Sequence, residues 1–211
     1  MSNPEANSEP EARSWWNLAL IAGGLLMVPM WVRYTTLHGP TTVDEGGRWL
    51  GQGPGFWGSM MEGPAGLLIA LGLAGSYPLL TGSAGRTARV GFVLAMIGAV
   101  IPPVVDLALR EVIPPLLAPL FGVGLILMAT ANRANPALTR FSLRVLAGLG
   151  GALLSSFLWA LLVRPDLTDR IDGYRIYGVV ANALFGLGWV VFGASLAWKQ
   201  RAARGQGHAT A

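Results

Sequence analysis

Six apolar runs, separated by short polar segments, dominate the pattern of hydrophobic and polar positions along the chain. A helix of about 20 apolar residues crosses a hydrocarbon core of about 30 Å, and each run has roughly that length. The pattern therefore predicts an all-α polytopic membrane protein, a bundle of six transmembrane helices. The predicted spans are 15–32, 56–80, 90–109, 112–131, 145–163 and 174–198.

Polar segments flank the six runs and divide the chain into three parts. Residues 1–14 lack the basic start, short apolar core and cleavage site of a signal peptide, so they are predicted to form a disordered cytosolic tail. Residues 15–198 form the six-helix transmembrane domain, and residues 199–211 form a basic cytosolic tail.

Composition supports the membrane interpretation. Hydrophobic residues make up 53% of the 211 positions and charged residues 12%, about half the charged fraction of an ordinary soluble domain. The chain has no cysteine, which excludes thiolate catalysis, and two histidines, which argue against a metal centre. We therefore expect no metal and no cofactor. The partner expected is membrane lipid and not nucleic acid, because the basic residues behind the net charge of +4 lie between apolar runs, where they set the orientation in the membrane.

The basic residues give an orientation. With the amino terminus inside, the inner segments hold nine Lys and Arg residues and the outer segments hold six. Because cytoplasmic segments carry the excess of Lys and Arg, both termini are predicted to be cytosolic, in a bacterial cell membrane. The oligomeric state is left open.

Two acids within the apolar runs are the main indication of chemistry. Glu62 lies near the start of the second run and Asp106 near the end of the third. A short connection makes these runs antiparallel, so both acids should reach the same membrane face. Charge inside hydrocarbon is costly, and such residues are usually paired, close to water or functional.

The two acids differ in the partners that their own helices offer. Asp106 and Arg110 have the i, i+4 spacing of an ordinary helical ion pair, which is the plainer interpretation of both. Glu62 has no basic residue at i±3 or i±4, and in apolar surroundings it would be a carboxylic acid able to donate a proton. Gly63-Pro64 beside it is predicted to bend or restart the helix, because proline supplies no backbone donor.

Further candidates are aromatic or polar residues that could line a cavity between the helices. Aromatic faces stabilise cations, although most aromatic residues in a bundle only pack, and an intramembrane Asn can equally join two helices. The candidates for substrate contact are Trp57, Arg110, Trp159, Tyr174, Tyr177, Asn182 and Trp189.

With its intramembrane acid, the chain resembles the small integral-membrane terpene cyclases of microbial meroterpenoid and indole-terpenoid pathways. The resemblance lies in Trp57 and Glu62 at the start of the second run; in the family, Trp directly precedes the essential Glu, whereas here four residues intervene. It implies a proton-initiated cyclisation of a prenyl chain of the farnesyl type. Glu62 would then be the general acid, and Asp106 would tune it or accept the last proton.

A non-enzymatic membrane protein is the alternative: a transporter subunit, a permease or an assembly factor. The sequence contains no phosphate-binding loop and no HExxH motif, which argues against ATP hydrolysis and zinc proteolysis in this chain.

Overall fold

A computed structural model describes residues 9–37, 50–112, 116–163 and 183–208. Within these ranges the chain forms seven helices and no strand, which confirms the all-α prediction. The helices are α1 (Glu9–Leu37), α2 (Pro54–Gly75), α3 (Tyr77–Thr81), α4 (Gly85–Leu109), α5 (Ala118–Ala131), α6 (Arg140–Val163) and α7 (Phe185–His208).

The six long helices form a closed ring in which each packs against the next one along the chain. The order is α1, α2, α4, α5, α6 and α7, and α7 packs back against α1. Neighbouring helices are antiparallel: Gly188 of α7 lies against Leu149 of α6, and Ser195, further along α7, hydrogen-bonds to the earlier Ser142. One continuous core, with residues from all six helices, fills the interior.

Glycine residues allow the helices of this ring to approach closely. A Cβ atom at Gly186 would lie 2.7 Å from the carbonyl oxygen of Gly24, and one at Gly122 would lie 2.8 Å from that of Gly150. Both distances are shorter than van der Waals contact, so a larger residue would push the backbones apart. Small residues at helix crossings are typical of membrane bundles.

The outward faces of the ring are apolar. Exposed large hydrophobic residues occur on every long helix except α5, among them Leu25, Leu71, Val93, Leu158 and Leu187. By length and composition, one helix of the described part of the chain, α4, can cross a membrane, and α1 and α5 contain shorter apolar stretches. The number of membrane spans therefore stays a prediction.

The first helix extends beyond both ends of its predicted span, and the last helix extends beyond the predicted end. Helix α1 begins at Glu9, so residues 9–14 continue the helix instead of belonging to the predicted tail. Helix α7 continues to His208, through most of the predicted basic tail. Glu, Ala, Lys, Gln and Arg in these extensions are good helix formers, and they extend each helix beyond its apolar residues.

Proline affects the second and fourth predicted spans in ways that hydropathy does not reveal. Helix α2 runs continuously through Pro64, so the predicted restart beside Glu62 is wrong. The break comes at Ser76 instead, and the short helix α3 begins at Tyr77 with Pro78 in its first turn. The fourth span was predicted from residue 112, but α5 begins only at Ala118, with Pro119 in its first turn, where a missing N–H costs nothing.

Candidate functional site

The beginning of α2 lies against the end of α4, as the short connection between them predicts. A Cβ atom at Gly63 would lie 2.8 Å from Cδ2 of Leu107, and one at Gly66 would lie 3.2 Å from Cβ of Pro103. Nearer the helix ends, a Cβ atom at Gly55 would lie 3.4 Å from Cγ of Glu111. These contacts define an antiparallel interface in which positions 62 and 106 lie at the same level.

Glu62 and Asp106 form the centre of this interface. Asp106 is 3% exposed and belongs to the buried face of α4 with Ala99 and Pro103. Oε2 of Glu62 is shielded from solvent, and the two carboxyl groups are close enough to interact electrostatically. The structure therefore brings together the two acids that the sequence singles out, in the interior of the bundle.

Ser59 of α2 is a third polar residue in this part of the bundle, and it is not among the candidates that the sequence indicates. It is fully buried, one turn before Glu62, and its hydroxyl donates to the carbonyl oxygen of Phe56 at 2.9 Å. The hydroxyl oxygen of Ser59 can still accept a hydrogen bond from another group. A serine in an apolar run gives little signal by itself, and only its spacing of three from Glu62 could have indicated it.

Arg110 ends α4 in the left-handed conformation, with φ 56° and ψ 35°. Its backbone N–H donates to the carbonyl oxygen of Asp106, and so does the N–H of Glu111 at 3.2 Å. The side chain of Arg110 is exposed, whereas that of Asp106 is buried. Arg110 is therefore the residue at which α4 ends, and the ion pair between Asp106 and Arg110 stays a prediction.

Trp57 lies in the first turn of α2, five residues before Glu62, and is half-buried. Its ring makes an edge contact with Phe56, with centroids 5.3 Å apart and planes at 87°. The residue thus places an aromatic surface at the same end of the bundle as the carboxyl pair.

Trp189 lies elsewhere. It is fully buried and stacks on Phe121 at 6.0 Å, with Phe185 and Phe192 edge-on. Phe121 packs against Gly98, which precedes Asp106 by eight residues, or about 12 Å along α4. Trp189 therefore belongs to an aromatic cluster deeper in the bundle and does not join the carboxyl pair.

The remaining candidates cannot be placed with the carboxyl pair. Trp159 belongs to α6, and its side chain lies outside the described part of the structure. Tyr174, Tyr177 and Asn182 lie outside the described residues altogether, so their predicted contacts stay predictions.

The opposite end of the bundle carries hydrogen bonds that fasten the connection between α5 and α6. The buried amide of Asn132 donates to the carbonyl oxygens of Leu80 at 2.7 Å and Met128 at 2.9 Å. Asn135 donates to Leu79 at 3.0 Å and to Asn132 at 2.8 Å. These bonds satisfy backbone groups where α3 and α5 end, and indicate a structural role.

Comparisons with protein-family models, curated proteins and solved structures found no match to this chain. The carboxyl pair and its surroundings are therefore interpreted from their own chemistry.

Proposed function

We propose that the protein is an integral membrane enzyme that cyclises a prenyl chain by protonating it, with Glu62 as the proton donor. In this proposal the six long helices cross the membrane, and the carboxyl pair lies near the end of the bundle at which α2 begins. The resemblance to membrane terpene cyclases suggested the reaction; the support from the structure comes from the distribution of residues and from the pair itself.

The distribution of side-chain sizes supports the membrane placement. On α4 the buried face consists of small residues such as Ala95, Gly98 and Ala99, whereas the exposed face carries Val93 and Val104, which are 56% and 47% exposed. A soluble helix would present charged and polar residues on that exposed face. Large apolar residues outside and small ones inside suit a helix that is surrounded by lipid and packed closely on its neighbours.

The carboxyl pair is the observation that carries the proposed chemistry. Repulsion between neighbouring carboxylates favours a pair that shares one proton, so one partner can donate while the other accepts. General acid catalysis of this kind contributes typically about 10² to 10⁴ in rate. In a cyclisation, Glu62 would protonate an alkene or epoxide, the ring would close on the resulting cation, and Asp106 would take up the final proton.

The proposal assigns supporting roles to two neighbours. Trp57 can hold a carbocation against its ring face, because the face of an aromatic ring carries negative potential. Ser59, within one turn of Glu62, can accept a hydrogen bond that orients the acid. Both residues lie on α2, so their positions relative to Glu62 are fixed by the helix itself.

The test is the replacement of Glu62 by Gln, which preserves shape and removes the acidic proton. Membranes containing the protein would receive a farnesylated or epoxyfarnesylated acceptor, and the product would be a cyclic isomer of unchanged mass. We expect Glu62→Gln to lower turnover by about 10² or more. The matched control is Glu111→Gln, which removes an exposed acid at the same end of α4 and should leave turnover within about threefold.

Two results would contradict the assignment. Undiminished turnover in folded Glu62→Gln protein would show that Glu62 is not the proton donor. An equal loss in Glu62→Gln and Glu111→Gln would indicate a general effect of negative charge at this end of the bundle.

A further inference from the structure

Helix α4 has a continuous exposed apolar stripe that ends in two arginines. At 3.6 residues per turn, positions 86, 90, 93, 101 and 104 fall on one face of the helix. Val90, Val93, Ile101 and Val104 are between 45% and 56% exposed. The opposite face is buried against α2 and α5, so this stripe is the part of α4 that the ring leaves uncovered.

Arg86 and Arg89 occupy the end of the stripe, both with exposed side chains. Glu62, Asp106 and Glu111 are the acids whose side chains the structure describes, and all three lie at the other end of the bundle. Among the side chains that the structure describes, this end of the bundle therefore carries basic residues and no acid, and apolar residues follow Arg86 and Arg89 along the stripe. Val93 is seven residues from Arg86, or about 10 Å along the helix.

We propose that this stripe of α4 binds an anionic phospholipid. Its phosphate contacts Arg86 and Arg89, and an acyl chain runs along Val90 and Val93. Guanidinium groups bind phosphate through two parallel hydrogen bonds, and basic residues at a membrane surface attract anionic headgroups. The proposal rests on the membrane placement given above and not on the cyclisation chemistry.

The charge at the end of the stripe favours a lipid over a second copy of the chain. Two copies related by an axis along the membrane normal would meet through the same face. Arg86 and Arg89 of one copy would then approach their equivalents in the other, and like charges repel. A phosphate headgroup instead neutralises them.

Native mass spectrometry of the detergent-solubilised protein can test the site. The probes are phosphatidylglycerol and phosphatidylcholine with identical acyl chains, so that only the headgroup charge differs. The double variant Arg86→Gln/Arg89→Gln should lose roughly 30-fold in affinity for phosphatidylglycerol, since each basic residue near the surface contributes a factor of about five. The control Arg140→Gln/Arg144→Gln removes the same charge from exposed positions on α6 and should change the affinity by less than about twofold.

Several outcomes would overturn the proposal. Equal binding of the two lipids by the wild-type protein would remove the headgroup specificity, and equal losses in both double variants would indicate diffuse attraction without a site. A protein dimer that Val93→Asn disrupts would assign the stripe to a second copy. Release of the protein from membranes by alkaline carbonate without detergent would show that the helices do not span the membrane. Unchanged turnover in Glu62→Gln protein would affect only the proposed enzyme activity.

Discussion

Replacing Gly66 by Ala tests the close approach of α2 and α4 on which the candidate site depends. The new Cβ atom would lie 3.2 Å from Cβ of Pro103 and closer still to Cγ of the same ring. Carbon atoms are most stable at about 3.5 to 4.0 Å, and Pro103 cannot rotate away because its ring is fixed to the helix backbone. The two helices must therefore separate by on the order of 1 Å.

Two opposing effects set the size of the change. Overpacking a close contact costs typically about 1 to 3 kcal/mol, whereas replacing a helical Gly by Ala gains up to about 1 kcal/mol. The contact dominates, so we expect a net loss of about 1 to 2 kcal/mol. For a chain of this size that corresponds to a decrease of roughly 2 to 8 °C in the melting temperature.

The measurement is thermal unfolding in detergent, followed by tryptophan fluorescence, with Gly148→Ala as the matched control. Gly148 is also helical, and a Cβ atom there would meet nothing within 4 Å, so only the gain in helix propensity remains. We expect Gly148→Ala to melt at or slightly above the wild-type temperature. A Gly66→Ala protein that melts with the control would show that α2 and α4 do not approach as described.

Three further predictions follow from other parts of the chain. Asp106→Asn should lower cyclisation at least tenfold in the isomer assay while the protein stays folded; full activity would exclude Asp106 as the base. Asn132→Ala should lower the stability by about 1 to 3 kcal/mol, because the carbonyl oxygen of Leu80 loses its buried donor; unchanged thermal unfolding would contradict this. Reporter fusions after Arg86 and after Asp169 should show cytosolic and external activity respectively, and the reverse pattern would overturn the orientation.

The positions of the apolar runs predicted the all-α fold. Each long helix overlaps one apolar run, and the short connection between the second and third runs indicated that Glu62 and Asp106 lie at the same level. That inference succeeded because a short connection makes two consecutive helices antiparallel, which sets the level of each residue along the helix axes. The apolar runs gave little indication that Ser59 belongs to the site, since a serine hydroxyl in a helix can donate its hydrogen bond to a carbonyl oxygen of the same helix.

Helix boundaries and deeper contacts were less predictable. Pro64 was expected to interrupt α2, but it removes a single hydrogen bond, and the helix packed around it continues. Trp189 is a candidate for substrate contact because aromatic residues suit a cavity, whereas its position in the structure depends on Phe121 and Phe192. Such contacts join distant parts of the sequence, and no local pattern encodes them.

The closed ring has a consequence for how the protein is made. Gly186 of α7 packs against Gly24 of α1, and Asn17 donates a hydrogen bond to Gln200 at 2.9 Å. During translation, α1 emerges long before the helix that covers one of its sides. Until α7 is synthesised, the glycine-lined surface of α1 must be covered by lipid or by the insertion machinery, so chains truncated before Phe185 should be targets for membrane proteases.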